Sequence, residues 1–292
     1  MKFTTEQLDK DLEEIDASLR VEKIPIPGRS LRAICDFSKK HKIGLPISEP
    51  LPGTHHESYK FWPITEFIKT WFDERYGERQ GMDMGPGKCV FLLRGDPWIF
   101  HYPKFFGHHK FVLSRDFASK DLAPIDGIGA YNIFEAIKNF PIGLRKSTTN
   151  DELQYLLDTF CFGYSALTTL EEQNNNELIN TATADLDAAV SHIMSSRSEP
   201  SLSKWSSLQA TEKFLKYVIQ SKNQGFQKTH NLKKLSNSLI SLGVNIDISS
   251  EISAIQCGPG IRYGEEKAEV KDAVEAYHAA LFIVYKLKDE IL

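Results

Sequence analysis

The sequence has few cysteines, and no two of them stand close together. Cys35, Cys89, Cys161 and Cys257 are scattered along 292 residues, which argues against a zinc knuckle and against a disulfide framework. No apolar run nears the ~18 residues that a bilayer demands, so no span is expected. No Ser-His-Asp arrangement, no P-loop and no GxGxxG can be read, so no cofactor is implied. The opening residues, MKFTTEQLDKDLEEID, are acidic and polar rather than leader-like, which points to a reducing cytoplasm. The net charge of −4 gives no overall pull toward nucleic acid.

What is present is ordinary globular material. Apolar residues make up 41% and charged residues 25% of the chain, and the length suits about two domains. Charge is uneven along it. Between Pro200 and Leu235 there are seven lysines and one glutamate, an arc that could track a phosphate backbone or simply face water.

Residues 4–20 read as a helix capped by Thr4, with Leu8, Leu12, Ile15 and Leu19 on one face. A second helix is expected over 30–41, with Leu31, Ile34 and Phe37 inward. A third is expected in FWPITEFIKTWFDERYG, whose aromatics imply a tight contact surface within the domain or with a partner. After Gly81 the segments CVFLL, WIFHY and KFVLS read as strands, the first two joined by RGDP as a hairpin. YNIFEAIKNF and NDELQYLLDTFCFGYSALTTLEE read as helices, the latter capped by Asn150. Residues 1–172 are therefore expected to form an α+β domain with a small, mostly antiparallel sheet.

Beyond the polar hinge Asn174–Asn176 the chain reads as helical. Leu178, Ala182, Leu186, Ala189 and Ile193 repeat at helical spacing. Pro200 starts the next helix, and Gly225 is placed as its C-terminal cap. Thr229 is expected to cap a helix striped with Leu232, Leu235, Leu239 and Leu242. GPGIRYGEE is read as a loop, and Val270, Val274, Tyr277, Leu281, Val284 and Ile291 mark one side of the last helix. Residues 173–292 are expected to be an all-α bundle.

Four stretches of this bundle, TADLDAA (183–189), KWSSLQATEKFLKYVI (204–219), KTHNLKKL (228–235) and RYGE (262–265) with AVEAYHAALFIV (273–284), occur in the order of a HEPN domain, which the C-terminal third therefore resembles. The resemblance implies a helical bundle that dimerises and is nucleotide- or RNA-associated, in toxin–antitoxin, defence or stress systems. Ribonuclease members of that family carry an arginine and, a few residues on, a histidine, joined across two protomers. Here the next histidine after Arg262 is His278, far outside that spacing, so cleavage of RNA is not expected. Arg262 and His278 from different protomers remain as a displaced alternative. Residues 1–172 lie outside the resemblance, and an assembly role in which that part docks a partner is a third reading.

Particular residues carry these readings. Glu212 falls on the buried face of its helix, so it needs a partner. Lys216 one turn on and His230 across the loop can supply one, as a polar clamp between two helices. The alternative is a ligand site, in which Lys228, Thr229, His230 and Arg262 border a cleft for a phosphate and Tyr263 stacks on a base. His55, His56, His101, His108 and His109 crowd two loops, but adjacent pairs point apart and no carboxylate stands at ligand spacing, so no metal site is assigned.

Overall fold

The computed structural model describes residues 3–47, 57–80, 85–222, 225–226 and 228–291. The chain divides into two compact units, Met1–Asp83 and Met84–Leu292. Residues 48–56, which carry His55 and His56, lie outside the described residues.

The first unit contains three α-helices among its described residues. Helix α1 (Thr5–Val21) is capped by Thr4, whose side chain accepts from the Gln7 amide. Helix α2 (Ile26–His41) begins earlier than the periodicity suggests, because Pro27 sits in its first turn, where a missing N–H costs nothing. Helix α3 spans Trp62–Tyr76. Leu8, Leu12, Ile15, Leu19, Ile34, Phe37, Ile68 and Phe72 close a core of their own. Leu31, expected inward, is instead 42% exposed. At the centre Asp16 is fully buried and accepts from the Tyr76 hydroxyl at 2.7 Å, with the Arg29 and Arg75 guanidinium groups close by. A carboxylate this deep is tolerable only with such partners.

The second unit begins with a hairpin, β1 (Lys88–Leu93) and β2 (Asp96–His101), antiparallel and in register from Lys88↔His101 to Leu93↔Asp96. Arg94 and Gly95 both take positive φ, 55° and 91°, which is the turn that matches strand twist. Two short strands, β3 (His109–Val112) and β4 (Gly129–Asn132), pair in parallel. The segment read as a helix over YNIFEAIKNF instead gives the end of β4, a 3₁₀ turn at Ile133–Ala136 and a bridge from Ile137 to Phe100. Asn132 explains the break. Its side chain accepts from the Phe134 amide and donates to the carbonyls of Ser114 and Phe117, so the backbone has a better alternative than a helix.

Short helix α4 (Ile142–Ser147) leads into α5 (Asn150–Glu172). The cap of α5 is Thr149 rather than Asn150: Thr149 accepts from Glu152 N and Glu152 reaches back to Thr149 N, a full capping box. Along α5, Gly163 lets Tyr102 and Cys89 press against the helix, since a Cβ there would lie 3.2 Å from the Cys89 sulfur.

The remaining helices are α6 (Glu177–Met194), α7 (Pro200–Ser221), α8 (Leu232–Ser241), α9 (Ser249–Ile255) and α10 (Val270–Leu287). α7 ends at Ser221 with Lys222 as its cap, three residues before the expected cap Gly225. α10 packs on α5, α7 and α9, and one hydrophobic cluster runs from β1 through α5 to α10. The expected domain boundary near residue 172 is therefore not where the compact units divide. The hairpin and α5 belong to the helical unit because they share its core, and residues 1–172 do not close on themselves. The architecture is α+β followed by helices, as expected, with one antiparallel hairpin and one parallel pair among the described residues.

Candidate functional site

Glu212 lies on the inward face of α7 and is 5% exposed. Its two oxygens are divided. Oε1 takes a hydrogen bond from Lys216 Nζ, one helical turn on, at 2.5 Å. Oε2 meets His230 Nδ1 at 2.7 Å. Lys216 is itself largely covered, and its ammonium lies 5.5 Å from the centre of the Phe226 ring. His230 is different: its side chain is 73% exposed.

The entry to α8 is organised otherwise than expected. Asn231 is the cap, accepting from Lys234 N. Thr229 stands two residues outside and accepts from Asn231 N, while Leu232 N donates to the Gln256 side chain. The first amides of α8 are thus largely taken, which removes them as donors to an anion. Thr229 contributes a turn, not a helix cap.

His230 opens into a cleft of about 670 Å³, shared with Trp205 and Gln209 of α7, Gln256 and Cys257 after α9, and Arg262. Arg262 comes from a 3₁₀ turn, Pro259–Tyr263, whose C-terminal Gly264 takes φ 78°. Gly260 is needed for a second reason: a side chain there would strike the Glu265 carboxylate, which folds over it. The Arg262 guanidinium lies 5.3 Å from the Trp205 ring centre and 5.6 Å from that of Tyr263. Tyr263 is 73% exposed. Lys228, Thr229 and Tyr263 do not line the cleft, whereas His230 and Arg262 both do.

Electrostatics give the cleft a mixed lining. Burial raises the Asp185 carboxyl above its ordinary range, although Lys213 holds it in an ion pair at 2.5 Å. Burial also pushes the Cys257 thiol up to about 11, so it is a thiol at neutral pH and a poor nucleophile. The lysine arc breaks up. Lys213, Lys216 and Lys222 are paired with Asp185, Glu212 and Glu290. Among the described residues Lys204, Lys228, Lys233 and Lys234 make no ion pair.

His278 lies elsewhere. Its Nε2 donates to the Val90 carbonyl at 2.7 Å, and its ring stands edge-on to Phe162. Burial lowers its pKa below the ordinary histidine value. Within one chain the structure does not bring it to the cleft of Arg262. Arg94, which with His101 gives a literal arginine–histidine spacing, is committed to Glu152 and to the Ser147 carbonyl. Among the described residues no three His, Cys, Asp or Glu side chains gather as a metal site.

Sequence reasoning missed Trp205, Gln209, Gln256 and Cys257 as residues of the cleft. A signal existed for two of these. Trp205, Gln209, Glu212 and Lys216 follow at helical steps on α7, one stripe running from cleft to clamp. Gln256 and Cys257 follow a helix the sequence did not announce, so nothing marked them.

Residues 176–289 match the family model described as HEPN domain. No curated protein and no solved structure matches the chain.

Proposed function

We propose that the C-terminal HEPN domain is a binding module for a nucleotide or for RNA, without ribonuclease activity, and that residues before it supply a partner or substrate preference. The observation that carries this reading is the cleft itself, where Arg262 lies over the Trp205 ring and His230 lines the same space. A guanidinium suits a phosphate, an indole face suits a base, and the imidazole adds a polar contact. The reading also includes a homodimer and a role in a toxin–antitoxin, defence or stress system, both suggested by the family.

The ribonuclease alternative needs His278 as a free acid–base group shared between protomers. That histidine is spent on a β1 carbonyl and packed on Phe162, so the binding reading is preferred. The test is a thermal melt of the full chain with adenosine 5′-monophosphate, ATP and a short single-stranded RNA. A ligand held only by the folded form adds about 2.7 kcal/mol at a hundredfold excess over its Kd. The expected result is a rise in Tm with at least one of these, lost in Trp205→Ala. The parallel expectation is no RNA cleavage by the wild type or by His278→Ala. No Tm shift with any probe removes the binding reading, and cleavage that His278→Ala abolishes restores the nuclease one.

A further inference from the structure

The bond between Glu212 and His230 is unusual for a purely structural contact. A buried carboxylate with Lys216 already on one oxygen gains most from a second partner that is buried too. Instead the imidazole is left 73% exposed, at the edge of the cleft. A carboxylate accepts and cannot donate, so in the neutral ring the hydrogen sits on Nδ1 and the lone pair on Nε2. Among the described residues Nε2 has no partner. Gln209, which also lines the cleft, has a side-chain nitrogen that is buried and without an acceptor among the described residues. Buried donors of this kind call for an explanation, and a bound group is one. The cleft thus offers a fixed cation at Arg262, an orphaned donor at Gln209 and, while the ring is neutral, an acceptor at His230.

We infer that buried Glu212 acts as a positioning residue that fixes His230 as a hydrogen-bond acceptor, and that the cleft thereby selects a phosphate ester carrying a hydroxyl, as a ribonucleotide does. The hydroxyl donates to Nε2 while Arg262 holds the anion, and Gln209 donates to a carbonyl or ring nitrogen. An analogue without the hydroxyl leaves Nε2 facing no donor. This assignment rests on the nucleotide reading above but separates from it in experiment. The charged groups around His230 are Glu212 and Lys216 on α7, Asp185 on α6 and Arg262 beyond α9.

Two measurements on the full chain test it. Long-range ¹H–¹⁵N spectra of the labelled protein read the tautomer of His230, identified by the signal lost in His230→Gln. The expected state of the neutral ring is protonated Nδ1 and bare Nε2; a bare Nδ1 overturns the inference. Titrations then compare adenosine 5′-monophosphate with its 2′,3′-dideoxy analogue. The expected preference for the ribonucleotide is about fivefold, the size of one hydrogen bond, and it vanishes in His230→Phe, in which Glu212 keeps Lys216 as its partner and an unchanged circular dichroism spectrum shows that the fold is kept. Equal binding by the wild type, or a preference that survives His230→Phe, overturns it. If neither nucleotide binds, this inference falls, and the melts with ATP and RNA decide the binding reading separately. If the tautomer alone is wrong, nucleotide binding stands and Glu212 is only a clamp.

Discussion

At the scale of single residues, the same side-chain type serves opposite ends in this chain. His230 and His278 both accept or donate one strong hydrogen bond, but one ring is open to water and the other is enclosed. Sequence alone showed each beside an apolar helical stripe and could not separate them, because burial depends on what packs across from it. For His278 that is β1 and Phe162, both distant in sequence. The consequence is a pH dependence. Burial keeps His278 neutral in the native state, so its pKa lies below the unfolded value of 6.5. As pH falls below that value, the unfolded chain takes up the proton first. The stability that depends on the neutral ring is thus complete above about pH 6.5 and shrinks as pH falls toward the native pKa. Urea melts at about pH 7.5 and about pH 5.5 check this. The wild type is expected to lose more stability between them than His278→Gln, whose amide can still donate to Val90. Equal losses would show that some other group sets the acid limb.

At the scale of elements, what could be read in advance was whatever depends on neighbours in sequence. The stripes of α1, α5, α7 and α10 gave those helices, and the Arg94–Gly95 turn gave the hairpin. Glu212 was legible as a buried acid with Lys216 and His230 in reach for the same reason. What escaped was set at a distance. β4 is four residues long and exists because β3 lies beside it. α9 is seven residues long, too short to show a helical stripe, and is held by Ile252 and Ile255 in the core. Caps slipped by a residue or two because Thr, Asn and Ser are chemically equivalent candidates until the amide each one meets is known. The Thr149 box therefore yields a sharp comparison. Thr149→Ala is expected to cost about 1 kcal/mol, the usual loss for a cap. Glu152 is also gripped by Arg94, which with the Thr149 amide holds its carboxyl down at about 2, so the box should persist well into acid. Asn150→Ala, which loses only an exposed contact to Arg115, is expected to cost much less. Denaturant midpoints of the two variants decide it, and a larger loss at Asn150 would put the cap back where the sequence suggested it.

At the scale of the whole molecule, the question is which stretch can fold when cut free. Among the described residues the outer edge of β1 is met not by another strand but by side chains. The Tyr277 hydroxyl donates to the Lys88 carbonyl, His278 donates to that of Val90, and the Leu92 amide donates to the Tyr155 hydroxyl. Two of these come from α10 and one from α5, so the hairpin's unpaired edge and the HEPN domain's last helix satisfy each other. Tyr277 is fully buried, and it sits in the same cluster as Cys89, Phe100 and Phe160. Cutting at residue 172 would strip α10 of α5, its neighbour in that cluster, and leave Tyr277 and His278 without acceptors. An unpaired buried polar group costs about 1–3 kcal/mol, and the exposed apolar face adds to that. A fragment of residues 85–292 keeps all of these contacts, and residues 1–83 have a separate core. The expected outcome is that 85–292 is monodisperse and unfolds cooperatively, while 173–292 aggregates or melts without a sharp transition. Circular dichroism melts with size-exclusion chromatography of both fragments measure this. A cooperative, well-behaved 173–292 would mean that the hairpin and α5 are only leaning on the bundle, and that the boundary read from the sequence is the one that governs folding.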